Sequence, residues 1–172
     1  DLPTNVIDYE EALASGSVER DFGPRSEDDL YIIYTGGTTG MPKGVMWRQA
    51  DVFFACLHRV ASGNDAIAYP EELAERASDP DLALSMLPAA PFIHGSAQWT
   101  SWIGLFTGGK LVLQPGRSFN AQRICELVAE EELTTVSVVG DAMARPIVEA
   151  LESGDYDMDT LVCIASAGAV LT

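Results

Sequence analysis

Apolar positions in this chain alternate between short β-branched or aromatic runs and stretches with helical spacing. Leu30–Thr35, LYIIYT, reads as a buried strand that feeds the chain into a glycine-rich loop. Gln49–Ala61 carries Val52, Phe53, Cys56, Leu57 and Val60 at spacings of three and four, which predicts an amphipathic helix stopped by Gly63. The polar stretch Asn64–Pro80 reads as an exposed insertion with a helix at Pro70–Ala77. A second strand is expected at Leu82–Leu87, ended by Pro88 and Pro91. A helix at His94–Phe106 stops at Gly108 and Gly109, and a third strand follows at Lys110–Leu113. Asn120 is placed to cap a helix running to Glu132, with Ile124, Leu127 and Val128 on its inner face. Thr135–Val139, Ala142–Glu152 and Leu161–Ser166 complete the series as strand, helix and strand. This alternation predicts an α/β fold with a largely parallel sheet flanked by helices, whose strand order periodicity does not encode. Residues 1–29 are acidic, broken by Gly16, Gly23 and Pro24, and read as a connector with one short helix at Tyr9–Ala14.

Composition narrows the class. With 172 residues, 47% of them hydrophobic and 21% charged, the chain is long enough for one domain with a sizeable core. The net charge of −16, from 26 acids against 10 bases, argues against nucleic acid or an anionic membrane as a large-area partner, because no basic stripe exists to release counterions. ATP is not disfavoured, since its phosphates need only one local pocket. Cys56, Cys125 and Cys163 are odd in number and far apart, which suggests neither a disulfide framework nor a metal site and points to a reducing, cytoplasmic setting. The chain starts at Asp1 with no signal-like segment, and no run reaches the ~18 apolar residues of a transmembrane span.

Candidate chemistry concentrates in Tyr34–Gly44, YTGGTTGMPKG. Glycines let a backbone approach a ligand closely, threonine hydroxyls and successive N–H groups supply donors, and Lys43 supplies a point charge, a composition suited to phosphate. A Walker A loop is excluded, because Pro42 precedes Lys43 and Gly44 follows it, and the dinucleotide pattern G-x-G-x-x-G does not occur in this window. The segment resembles the phosphate-binding signature YTSGTTGxPKG of the adenylate-forming superfamily, which includes acyl-CoA synthetases, luciferases and peptide-synthetase adenylation domains. Gly37 stands where a serine is common. The following GVMWRQ, Gly44–Gln49, is most similar to the acyl-CoA synthetase branch. The resemblance implies that Thr35, Gly36, Gly37, Thr38, Thr39, Gly40 and Lys43 hold the β- and γ-phosphates of ATP.

Two further segments resemble the same family in the same order. Pro91 and His94 match a P-x-x-H motif within PAAPFIHGSAQWTSW. The resemblance implies a histidine between triphosphate and carboxylate, with Gly95, Ser96 and Trp99 beside the acyl group. Trp99 and Trp102 are equally readable as ordinary core aromatics. SAGAVLT, Ser166–Thr172, resembles the SGGAPL element, which implies that Gly168, Ala169 and Val170 line the adenine, with Val170 in place of a usual proline.

The resemblance covers about residues 30–172 and implies part of an AMP-binding domain. Its later signatures, for the Mg²⁺-binding glutamate, the ribose and the lysine-bearing C-terminal lid, do not occur in this sequence. The expectation is an internal piece of a larger ligase that uses a carboxylate, ATP with Mg²⁺, and coenzyme A. By itself it is expected to fold without catalysing and to self-associate through its cut sheet edge. The implied preference is a fatty acid. An aryl, sterol-side-chain or other bulky carboxylate, a non-catalytic nucleotide-binding module and a purely structural domain stay open.

Overall fold

The computed structural model of the protein describes residues 6–36, 40–57, 67–116 and 118–172. Its centre is a three-stranded parallel sheet of β3 (Met86–Pro88), β4 (Thr135–Val138) and β5 (Cys163–Ser166) in the order β3-β4-β5. The register sets Leu87 beside Val136, and Val136 beside Ile164. Because successive side chains point to opposite faces, the sheet sorts its residues between two layers. Leu87, Val136 and Val138 face a core shared with α5 (Ala121–Glu131) and α6 (Asp141–Ser153), where Ile124, Cys125, Val128, Leu133 and Ile147 are at most 3% exposed. Each fully buried aliphatic side chain here contributes roughly 1.5–3 kcal/mol. Met86 and Ser137 face the other way, onto α4 (Gly95–Phe106). There, Thr100 Oγ1 donates to Ser137 Oγ at 3.0 Å, and a Cβ at Gly104 would lie 3.2 Å from Met86 Cγ.

The expected α/β architecture is therefore present, with one addition. Leu30–Thr35 (β1) is not a buried strand of the parallel sheet; it pairs antiparallel with β2 (Lys43–Arg48), from Leu30 opposite Arg48 to Thr35 opposite Lys43. Only one face of this hairpin is covered, so Tyr31 and Ile33 are half-buried while Ile32 and Tyr34 are exposed. β2 went unpredicted because Lys43, Gly44 and Arg48 dilute its apolar alternation. The hairpin leads straight into α2 (Gln49–Leu57), and Arg48 Nε donates to Asp28 at 2.6 Å. α1 (Tyr9–Ser15) is capped by Asp8 and buries nothing.

Other boundaries shift for local reasons. The expected strand Leu82–Leu87 becomes a 3₁₀ turn at Pro80–Leu82, capped by Asp79, with β3 starting later. Lys110–Leu113 is no strand; it meets β3 at a single parallel bridge between Leu111 and Met86. α3 (Glu71–Arg76) lies in the segment read as an exposed insertion, yet Ile67 and Leu73 are buried against Phe53, Phe54 and Ile103. Apolar residues that sparse give no periodicity, so their partners on α2 and α4 were invisible locally. The end of the Gln49–Ala61 expectation, with Val60 and Ala61, lies outside the described residues. Cys125 is buried, and burial pushes its thiol up, whereas Cys163 is exposed on β5.

At the chain's end, residues 166–172 fold back onto the start of α6. Gly140 N–H donates to Ser166 Oγ at 3.0 Å, and Asp141 N–H to the Val170 carbonyl at 3.2 Å. The Asp141 carboxylate accepts from Thr172 Oγ1 at 2.6 Å and Thr172 N–H at 2.9 Å, and from Arg145 at 3.0 Å. The Thr172 hydroxyl and N–H, then Arg145, hold this carboxyl down at about 2 from an ordinary 3.8.

Two outcomes follow. Ile124→Ala should lower the unfolding free energy by about 2–5 kcal/mol, against about 0.5 kcal/mol or less for the half-exposed Val148→Ala, measured by denaturant titration. A lowered folded-state pKa stabilises above the unfolded value and loses that contribution as pH falls through the folded one. The destabilisation caused by Asp141→Asn should accordingly be full at about pH 6 and shrink as pH drops from about 4 to 2. Stability curves of both proteins across that range check it.

Candidate functional site

The glycine-rich segment joins the paired strands β1 and β2. Thr35 and Lys43 are its last paired residues, with Thr35 Oγ1 donating to the Lys43 carbonyl at 3.4 Å. Gly36 and Gly40 are exposed, and a Cβ added at either would meet nothing within 4 Å among the described residues, so packing does not demand glycine there. Lys43 is exposed beside them. Gly37, Thr38 and Thr39 lie outside the described residues.

His94 caps α4 with extended backbone, φ −97° and ψ 139°, and its imidazole makes no capping bond. Its N–H donates to the Pro91 carbonyl at 3.0 Å, so Pro91 and His94 form one tight turn into the helix. The first N–H groups of α4 and its dipole make this end favourable to anions. Gly95 faces the hairpin, where a Cβ would lie 3.0 Å from Ile33 Cδ1. Ile33 is paired with Val45, two residues from Lys43, so this contact seats the mouth of the loop at the first turn of α4. One turn on, Trp99 stands edge-on to Trp47, with centroids 5.7 Å apart. Gln98 accepts from the Tyr31 hydroxyl and donates to the Phe92 carbonyl at 2.6 Å. Ser96 Oγ and Trp99 Nε1 are buried with no hydrogen-bond partner among the described residues, two polar atoms in need of one.

The third group follows β5. Gly168 takes φ +85°, and the exposed residues Ala169 and Val170 pass over the Gly140 turn. Pro91 and His94 follow β3 and Gly168 follows β5, so both lie beyond the carboxyl ends of parallel strands, the edge at which open α/β sheets bind ligands. At that edge a cleft of ≈ 260 Å³ is lined by Pro88, Pro91, Phe92, Gln114 and Phe119 among others.

Two features escaped the sequence reading. One is an open aromatic groove of ≈ 740 Å³ between α2 and α4, lined by Tyr31, Phe53, Tyr69, Trp102 and Phe106; the i, i+4 spacing of Trp102 and Phe106 was its signal. Trp102 thus packs edge-on to Tyr31, with centroids 5.0 Å apart, rather than with Trp99 on Trp47. The other is Asp141, which had no local signature. Among the described residues, no three of His, Cys, Asp and Glu converge as a metal site would require. Nor is any described helix long and apolar enough to cross a membrane.

Comparison with known proteins gives this arrangement a family. The chain is 42% identical over 179 residues to a 3-oxocholest-4-en-26-oate–CoA ligase of Rhodococcus rhodochrous, covering 96% of this chain and 31% of that protein. It is 41% identical over 175 residues to the medium-chain acyl-CoA ligase Mig of Mycobacterium avium, covering 100% of this chain and 32% of that one. It therefore spans about a third of the length of these relatives. In fold it matches the N-terminal domain of FACL13 from Mycobacterium tuberculosis, with a TM-score of 0.67 at 24% identity over 95% of this chain and 37% of that one. The o-succinylbenzoate CoA synthetase of Bacillus subtilis gives 0.63 at 21% identity over 94% and 38%. The profile described as AMP-binding enzyme spans residues 3–172, and the chain belongs to that family.

Proposed function

We propose that this chain is the central part of the N-terminal domain of a longer acyl-CoA ligase, with residues 1–29 as its acidic connector, residues 30–172 within the AMP-binding domain and the C-terminal lid elsewhere. The observation that carries the reading is the contact of Ile33, two residues before the last hairpin pair Thr35–Lys43, with Gly95 in the first turn of α4 next to His94. That arrangement lets one anionic ligand meet loop donors, an ammonium group and a helix N-terminus together.

In the first half-reaction a carboxylate oxygen attacks the α-phosphorus of ATP. The bond from that phosphorus to the bridging oxygen breaks, pyrophosphate leaves, and an acyl-adenylate remains. In the second, the coenzyme A thiolate attacks the acyl carbonyl and AMP departs with the carbon–oxygen bond's electron pair, leaving a thioester. Thr35, Gly36, Gly37, Thr38, Thr39, Gly40 and Lys43 hold the β- and γ-phosphates, and Lys43 stabilises charge rather than taking a proton. His94 positions phosphate and carboxylate. Gly95, Ser96 and Trp99 border the acyl group, and the unpartnered Ser96 Oγ and Trp99 Nε1 support a polar atom near them. Gly168, Ala169 and Val170 line the adenine. Mg²⁺ bound with the nucleotide would neutralise phosphate charge, and its carboxylate ligand would be supplied from outside this chain.

The carboxylate is hydrophobic. A fatty acid is the first candidate, and the 42% identity to a ligase named for a sterol-derived acid keeps a bulky carboxylate as the second. The cytoplasm is the proposed compartment. Alone, the chain is proposed to be inactive and to self-associate along β5, where Ile164 is 36% exposed and Val162, just before the strand, 84%.

Incubating the full-length enzyme with fatty, aryl and sterol-derived acids should release AMP and pyrophosphate; release of ADP would overturn the reading. Lys43→Ala should raise the KM for ATP and weaken the adenylation transition state by about 2–4 kcal/mol, as for loss of one strong donor. Thioester formation from preformed acyl-adenylate should be nearly spared. Equal loss in both half-reactions would make Lys43 structural.

A further inference from the structure

We infer that the Gly140–Asp141 step at the start of α6 is the positioning element of the nucleotide site, with Asp141 setting ATP affinity by holding the Gly168–Val170 segment in place. The inference rests on the reading that this segment lines the adenine.

The segment and its flanks are fastened along one side at Ser166, Ala167, Val170 and Thr172, always by the end of β4 or the start of α6. Gly140 N–H donates to Ser166 Oγ at 3.0 Å, Ala167 N–H to the Val138 carbonyl at 3.3 Å, and Asp141 N–H to the Val170 carbonyl at 3.2 Å. Asp141 Oδ1 then accepts from Thr172 N–H at 2.9 Å and Oδ2 from Thr172 Oγ1 at 2.6 Å. Arg145 closes the set, donating to Asp141 Oδ2 at 3.0 Å and to Thr172 Oγ1 at 2.9 Å. Gly140 is fixed by the same approach: its φ is +60°, and a Cβ there would lie 2.6 Å from the Val170 oxygen and 2.7 Å from Ala169 Cβ. No side-chain-bearing residue fits without moving the segment.

An exposed Asp–Arg pair four residues apart on a helix contributes little by itself. Asp141 differs because both its oxygens are committed to the far end of a loop that has no ladder of its own beyond β5. Between its anchors Gly168 sits at φ +85°, and the Val170 side chain is 76% exposed, so the side away from the clamp is open to a flat ligand. The carboxylate's lowered pKa of about 2 accords with both oxygens being bonded. Asp141 acts through the segment and touches no reacting atom.

The test is steady-state kinetics on the full-length enzyme. Asp141→Ala should raise the KM for ATP about tenfold, and the KM for preformed acyl-adenylate similarly, since both carry adenine. The KM for the carboxylate should stay within about twofold. Asp141→Asn keeps an oxygen for Thr172 N–H and an amide donor for its hydroxyl, and should recover to within about threefold of wild type. Thr172→Val at an exposed position removes only the hydroxyl contacts and should fall between them, which keeps the test independent of any folding defect in Asp141→Ala. Adenylate affinity separates this residue from Lys43, whose loss spares that half-reaction. An unchanged ATP KM in an active Asp141→Ala enzyme, or parallel rises for ATP and carboxylate, would overturn the inference alone. A wild-type enzyme that releases no AMP would overturn the functional reading and this inference with it.

Discussion

The loop side of the candidate site depends on how α4 is packed on two sides at once. Towards the parallel sheet it presents Gly104 to Met86 and Thr100 to Ser137, which fixes its depth through one close van der Waals contact and one buried hydrogen bond. Towards the hairpin it presents Gly95 to Ile33, Trp99 to Trp47 and Trp102 to Tyr31. Edge-on aromatic pairs of this kind contribute about 0.5–1.5 kcal/mol each beyond their buried area, and they fix orientation as well. Among the described residues the hairpin meets the rest of the molecule through α4 and through α2, which itself packs on α4, so the relation between Lys43 and the strand ends follows the placement of this helix. Large residues at 95 or 104 would push apart the two parts that the helix joins.

How far the sequence anticipates this varies with how local the determining physics is. β4 is legible because both neighbours of Thr135–Val138 are strands and every residue is buried, so the apolar run has no polar break large enough to hide it. α5 is legible from its cap, since Asn120 Oδ1 accepts from Arg123 N–H at 3.0 Å as the residue type suggests. β2 is not legible. Its pairing partner is supplied by β1 across the loop, and its core-facing residue Trp47 finds its contact far along the chain on α4. The buried role of Ile67 and Leu73 is hidden in the same way.

For the candidate site, identity and order of motifs were readable while their mutual geometry was not. The glycine loop, the Pro91–His94 turn and the Gly168 turn can each be found by residue type. That Gly95 is also small for the sake of Ile33 is not legible, because Ile33 lies far back in the chain. Asp141 is the sharper case: at the start of a helix an aspartate is ordinary, and its partner at Thr172 is 31 residues away.

The hairpin has a further consequence for the way the molecule breathes. Two paired strands are marginally stable alone in water, so β1 and β2 borrow their order from the aromatic contacts with α4. The parallel sheet has its own core and does not share that dependence. The protein is consequently built from two units of unequal stability, and the weaker carries the loop. Local opening of the hairpin can proceed while the sheet stays shut, which places amide protons of Leu30–Thr35 and Lys43–Arg48 among the faster to exchange with solvent and those of Thr135–Val138 among the slowest. A ligand spanning the loop and the strand ends would tie the two units together and slow exchange in the hairpin most, so that its binding energy is partly expressed as order.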